Sequence, residues 1–312
     1  MANRTIPRLL QTPSVVLLLL WMLVPLSMTL YFSFIRYVLN SLRRPEWTTP
    51  SFSNWRGFGN YEYVLNAKDF GLAMTNSIFI VASILVFTVL LGLALAMLVN
   101  RSFPGRGIVR VLLISPFFVM PAVNAVLWIN MILDPVLGLN GLAVQGINEI
   151  INNLRGFPVL GSFFSLWPEF EPISFRATQT SAYAVIMMVT WQWTPFAVLI
   201  FMTSLQSEDE SQKEAAILDG ANAWSRFRNL TVPHLARPIA IVVMIQSIFH
   251  LSLYAEIEIV SRGNGNKNLP YLIGEFTSNN IGAASATGIF AVILANIVAI
   301  FLLRMVGKNL MD

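Results

Sequence analysis

The chain contains no cysteine, only two histidines and few charges. Without cysteine there is neither a disulfide nor a thiolate metal site, and no metal ligands are assigned. Charged residues make up 12% of its 312 residues, about half the share usual in a soluble domain. With a mean hydropathy of +0.65, that deficit points to lipid as the solvent. The two histidines, His234 and His250, fall at opposite ends of one expected helix. Neither a His-Glu-x-x-His nor a Gly-x-Ser-x-Gly run occurs, which argues against a membrane-embedded hydrolase, and no catalytic residue is assigned. A Gly-x-x-x-x-Gly-Lys-Ser/Thr run is also missing, so the chain cannot cradle nucleotide phosphates in the P-loop manner, and no cofactor is expected in it. No internal repeat or low-complexity tract is apparent. The sequence pI is about 9.6, yet the basic residues scatter at helix ends without interleaved exposed aromatics, which speaks against nucleic acid as a partner.

What is abundant is apolar sequence. A span needs roughly 20 apolar residues at about 1.5 Å each. Uncharged runs of that order cover 14–35, 73–99, 111–133, 181–205 and 281–303, with a shorter one at 239–255 that includes His250. The expectation is an all-α integral membrane protein with six spanning helices, forming one domain over residues 14–303. Arg4 and Arg8 precede a first run of about 22 residues, longer than the roughly 7–15 of a signal peptide's apolar region, so it reads as an uncleaved helix. The loop at 100–110 carries Arg101, Arg106 and Arg110, whereas the far longer loop at 134–180 carries only Arg155 and Arg176. The positive-inside rule then puts both tails, 1–13 and 304–312, in the cytoplasm.

Between spans, residues 36–72 hold Trp47, Trp55, Tyr61 and Tyr63, which suit a membrane–water interface. Pro104-Gly105 marks a turn. In the outer loop 134–180, the spacing of Leu142, Ile147, Ile150, Ile151 and Leu154 predicts a short surface helix. The proline-bearing stretch 156–176 (Pro158, Pro168, Pro172) reads as irregular.

The inner loop 206–237 is the most informative. Ser207 can cap a helix whose first turn holds Glu208, Asp209 and Glu210, where acids complement the helix dipole. Gly220 would end it. A second helix is expected from about Asn222 to Leu230, with Trp224, Phe227 and Leu230 on one face. Pro233 and Pro238 then bend the chain back into the membrane. Such an amphipathic hairpin can rest on lipid headgroups or plug a groove in a partner, where aromatic anchors are favoured.

Glu214-Ala215-Ala216, Asp219-Gly220-Ala221, Trp224, Phe227, Pro233 and Pro238 together resemble the EAA loop of bacterial ABC importer permeases of type I fold. The resemblance implies that this loop is the coupling helix docking in a cytoplasmic ATPase, with Glu214, Ala215, Ala216, Asp219 and Gly220 as docking segment and Trp224 and Phe227 as anchors. It further implies a second homologous permease subunit, two ATPase subunits that hold ATP and Mg, an external solute-binding protein and a multi-pass place in the bacterial inner membrane. Phe58-Gly59-Asn60-Tyr61, then Asp134-Pro135 with Gly138-Leu139-Asn140, resemble elements of sugar permeases, and the branch is similar to the maltose and mannitol/sorbitol group. Arg262-Gly263-Asn264-Gly265-Asn266-Lys267 departs from that group's Gly-Gly-Pro turn and reads as a solvated loop.

Polar side chains inside spans are costly and mark candidate sites. Thr190, Gln192 and Trp193 lie on the fourth span, whose regularity Thr194-Pro195 should break. Gln246 and His250 lie on the fifth, and Asn124 and Asn130 on the third. Gln, His and Asn can bind sugar hydroxyls, while Trp193 or Phe196 can face the sugar's C–H surface. The resemblance to maltose-type permeases implies substrate contacts at Gln192, Trp193, Phe196, Gln246 and His250; Asn124 joins them on polarity. Interhelical hydrogen bonding is the alternative role for each. Glu256 and Glu258, near the outer end, are expected to be solvated or interfacial. An ion-coupled secondary carbohydrate transporter is the competing function, and it would need a buried carboxylate or ion site.

Overall fold

The computed structural model describes residues 5–39, 44–157 and 160–310. Arg4, Arg43, Pro158 and the last two residues of the C-terminal tail lie outside the described residues, as do the side chains of Arg8 and Lys308. Among the described residues the fold is helical, with no strand beyond two isolated bridges.

The first helix, α1 (Thr5–Ser33), shows its apolar side chains from Val15 to Leu30 largely bare, as a helix solvated by hydrocarbon does. A short α2 (Gly59–Leu65) precedes the long α3 (Phe70–Asn100). The run at 111–133, expected as one span, is instead a broken pair. The segments Arg106–Phe118 and Pro121–Ile132 meet at 103°. They contain α4 (Arg106–Ile114) and α5 (Pro121–Leu127), the latter running into a π-turn at Trp128–Ile132. The cause is local. Pro121 drives the preceding Met120 to an extended ψ of 139°, and a residue before proline is disfavoured in the α region.

In the outer loop, α6 (Leu139–Arg155) forms where the spacing places it, and one further helical turn, α7 (Leu160–Phe164), interrupts the stretch expected to be irregular. The fourth span, α8 (Ser181–Gln206), is continuous through Pro195, contrary to the expected break. Most of this helix is buried, so neighbouring helices hold it straight where a solvated helix would give way.

The inner loop gives α9 (Glu210–Leu218) and α10 (Ala223–Arg226), then a π-turn at Phe227–Thr231 leading directly into α11 (Val232–His250). Pro233 and Pro238 therefore do not turn the chain. Residues Ala223–His250 form one helix of 28 residues. The Val232 amide reaches back to the Phe227 carbonyl, a wider π-type bond that admits Pro233, which has no amide proton, without a break. The remaining helices are α12 (Ala255–Ser261), α13 (Leu269–Thr277) and α14 (Ile281–Leu310). Among the described residues, five helices are long and apolar enough to cross a membrane, or six spans if the bent pair counts as one.

The chain divides into two units, residues 1–74 with 269–296 and residues 75–268 with 297–312. In the first, Val64, Phe70, Leu269, Leu272 and Ala283 form the core. The fully buried Asn60 donates to the carbonyls of Ser33 (2.9 Å) and Ile35 (2.7 Å), closing the end of α1. In the second, Ala96, Ala197, Phe201, Leu205, Leu235 and Val242 pack together. There α3 and α8 approach so closely at Gly92 that an added Cβ would stand 2.6 Å from the Ala197 methyl, the small-residue contact expected between helices in lipid.

Two expectations about the outer side fail. Glu256 is buried because α12 packs against α5 and α8, and this desolvation raises its pKa above the usual carboxylate value. The loop 262–267 is not simply solvated. Asn266 is buried, Ser181 Oγ donates to the Asn264 carbonyl (2.7 Å), and Asn76 Nδ2 donates to the Lys267 carbonyl (2.9 Å), while Arg262 faces out.

Candidate functional site

Two groups of residues stand out in the second unit: an exposed hairpin at one end of the 28-residue helix, and an aromatic and polar cluster near the other.

The hairpin begins at Asp209, not Ser207. The Asp209 carboxylate accepts from the Ser211 amide at 2.9 Å, and bonding to Ser211 holds its pKa below the usual value. Glu208, expected in the first helical turn, instead accepts from Thr231 (3.2 Å) and faces Lys213 (3.4 Å), tying the two arms together. Gly220 ends α9 at φ +79°. The Ala221 amide bonds the Ala216 carbonyl (2.9 Å) and the Gly220 amide the Ile217 carbonyl (3.0 Å), the paired bonds of a Schellman turn. Asn222 then caps α10 through the Ser225 amide (2.8 Å), and Arg226 donates to the Ala221 carbonyl (2.8 Å). This small, fully capped turn displays apolar side chains. Leu218 is 88% and Trp224 68% exposed, and the Trp224 and Phe227 rings lie 5.4 Å apart. Glu214, Ala215 and Asp219 are exposed beside them, and Ala216 partly so. Sequence reasoning missed Leu218, which reads as an ordinary helix residue until its bareness is seen.

The second cluster centres on Trp193. Its ring stands 5.0 Å from that of His250, 5.1 Å from Phe249, 6.0 Å from Phe196 and 5.4 Å from Phe117. Gln246 Nε2 donates to the Trp193 carbonyl at 3.4 Å. His250 is 1% exposed, and neither of its ring nitrogens has a hydrogen-bond partner among the described residues; the same is true of Gln246 Oε1. Buried polar atoms left unpaired are expensive, and a polyhydroxyl ligand could satisfy them. Phe117, which stacks on Phe196 at 5.9 Å, was not legible in the sequence. It enters only because the 103° bend places the 115–118 turn beside α8.

Gln192 and Asn124 form a separate pair. Asn124 Nδ2 donates to Gln192 Oε1 (3.0 Å) and to the Met188 carbonyl (3.2 Å), while Gln192 Nε2 donates to the Val119 carbonyl (2.5 Å). Val119 lies in the bend, where its carbonyl has no place in a regular helical ladder. Gln192 thus caps the broken helix, the interhelical role named as the alternative for these side chains. Asn130 likewise accepts from Arg176 (2.7 Å). A cavity of about 510 Å³ lies along the face of α8 bearing Met187, Thr190, Trp191, Thr194 and Pro195. It is turned away from Trp193, and its mainly apolar walls offer little to a sugar.

Residues 4–312 match the family described as "Binding-protein-dependent transport system inner membrane component". The inner membrane ABC transporter permease protein YcjO of Escherichia coli (strain K12) is 29% identical, covering 92% of this chain and 91% of that protein. The trehalose transport system permease protein SugA of Mycobacterium tuberculosis (strain CDC 1551 / Oshkosh) is 22% identical over 98% of this chain and 90% of that protein. A chain in the crystal structure of a bacterial ABC transporter importing the acidic polysaccharide alginate shares the fold. Its TM-score is 0.70 at 18% identity, over 97% of this chain and 95% of that one. The spans and the inner membrane relatives make this a multi-pass inner membrane protein. The chain belongs to the inner membrane components of binding-protein-dependent transport systems, the permeases of ABC transporters, which are not themselves enzymes.

Proposed function

We propose that this permease imports a sugar, sugar alcohol or sugar derivative, powered by separate ATPase subunits that bind ATP and Mg. The observation that carries the mechanism is the continuity of Ala223–His250. Trp224 at one end and Gln246 and His250 at the other sit on a single helix. At 1.5 Å per residue that element is about 40 Å long. A push or pull on the hairpin is delivered along this rod to the Trp193 cluster, with no flexible link at Pro233 to dissipate it. The π-turn at Phe227–Thr231 is a place where the rod can change register.

In this reading Leu218, Trp224 and Phe227 seat in an ATPase groove, and Glu214, Asp219 and the Gly220 turn fix the approach. Trp193 and Phe196 present ring faces to the sugar's C–H surface, and His250 and Gln246 bond its hydroxyls. A second permease subunit completes the pathway, and an external binding protein delivers the sugar. The carbohydrate class is supported by relatives named for trehalose and alginate transport and by this pairing of rings with unsatisfied polar atoms.

The test is uptake of radiolabelled sugars into vesicles holding the reconstituted transporter and its binding protein. Uptake that stops on ATP depletion and persists with a protonophore supports the proposal. Uptake that a protonophore abolishes while ATP depletion leaves it intact points to ion coupling and overturns it.

A further inference from the structure

In the first unit, a cavity of about 350 Å³ is lined by Arg36, Trp47, Arg56, Asn60, Tyr63 and Asn280. Two arginines line it and, among the described residues, no carboxylate does. Arg56 donates to Asn60 Oδ1 at 2.9 Å, and Arg36 lies 5.1 Å over the Trp47 ring. Burial, and then the charge of Arg36, lower the Arg56 pKa from its ordinary value by more than nearby Glu62 and Tyr63 raise it, so the two cations are close enough to repel. Asn60 and the Trp47 ring, both neutral, each hold one of these arginines in the cavity wall.

The position of this cavity along the chain sets its depth. Arg36 follows the end of α1 at Ser33, Asn280 directly precedes α14, and Tyr63 lies on α2 just before α3. All three long helices meet the water boundary here. Phe52, Trp55, Phe58 and Tyr63 are exposed around it, the aromatic belt expected at headgroup level.

We infer that this cavity binds the phosphodiester of an anionic lipid headgroup in the outer leaflet. Paired arginines match phosphate oxygens through forked N–H donors, and an anion between them removes their repulsion. The acyl chains would lie along the bare flank of α1.

The intact transporter is exchanged into micelles doped with phosphatidylglycerol, with phosphatidylethanolamine, or with inorganic phosphate alone, and adducts are read by native mass spectrometry. Phosphatidylglycerol should be retained over phosphatidylethanolamine. Arg36→Gln should cut its retention about fivefold, the effect of one arginine at a charged interface. Arg36→Lys, which keeps the charge but loses the fork, should fall between the two, and the outlying Lys68→Gln should keep it, with unfolding temperatures unchanged throughout. Arg36 is exposed, so its loss does not endanger the fold. Equal retention by Arg36→Gln overturns the inference. So does an adduct with inorganic phosphate and none with lipid, or a photo-crosslinker at Tyr63 that reaches the binding protein instead of lipid.

Discussion

Replacing Gly220 should separate ATP hydrolysis from transport in a graded way. The residue sits at φ +79°, and a Cβ built there meets nothing within 4 Å. The cost of a side chain is therefore conformational, not steric against neighbours. For an L-residue in the left-handed region it is about 1–2 kcal/mol, a factor of about 5–30 in the population of the turn. Asparagine visits this region at less cost, and a β-branched residue at more. The turn is solvent-exposed and closed by its own bonds from Ala221 to Ala216 and from Gly220 to Ile217, so the rest of the fold does not depend on it. The assay is sugar uptake and phosphate release measured together in proteoliposomes. Sugar moved per ATP should fall in the order Gly220, Gly220→Asn, Gly220→Ala, Gly220→Val, with the unfolding temperature flat across the series. Wild-type coupling in Gly220→Val would rule out a conformational role for this turn, and so would a loss of uptake that merely tracks a falling unfolding temperature.

Gln192→Leu removes one of the two bonds donated by Asn124 Nδ2, leaving that to the Met188 carbonyl, and strands the carbonyl of Val119, at about 1–3 kcal/mol for the stranded group; the unfolding temperature in detergent should drop, whereas a pure sugar ligand would shift only KM. Trp193→Leu removes the ring at the centre of the cluster, worth about 0.5–1.5 kcal/mol beyond its area; the KM for uptake should rise about 2- to 12-fold, and Trp193→Phe should recover much of it. For Glu256, whose folded pKa is raised by desolvation, stability is greatest below the unfolded carboxylate pKa and declines as pH climbs through the folded value. Thermal unfolding of Glu256→Gln should therefore exceed wild type at neutral pH and converge with it in acid; a gap constant with pH would contradict the burial.

The spans are legible because one physical quantity, uninterrupted apolar length, determines them, and four of the six uncharged runs match long helices to within a few residues. The fifth, 239–255, was too short only because its helix begins much earlier, at Ala223. Proline was the weak point in each direction. Pro195 and Pro233 lie in continuous helices, while Pro121 sits at a 103° bend. A proline removes one amide proton wherever it stands, and whether the helix yields is settled by what packs around it, which the local sequence does not carry. The same limit explains the site. Trp193, Phe196, Gln246 and His250, which the resemblance to maltose-type permeases implies as a set, share one cluster, but Gln192 and Asn124 serve a bend that the sequence does not announce, and that same bend brings in Phe117. Glu256 looked exposed because it lies just past a span; α12 folding back on α5 buries it.

The most direct test of the central claim uses the natural absence of cysteine. A single cysteine placed at Leu218 or at Trp224 reacts against a background with no other thiol in this chain. In sealed inside-out vesicles, labelling from the cytoplasmic face should be rapid when the ATPase is stripped, should be blocked when it is restored, and should give way to a bifunctional crosslink to that subunit. Labelling only from the opposite face, or labelling that the ATPase does not alter, would contradict it.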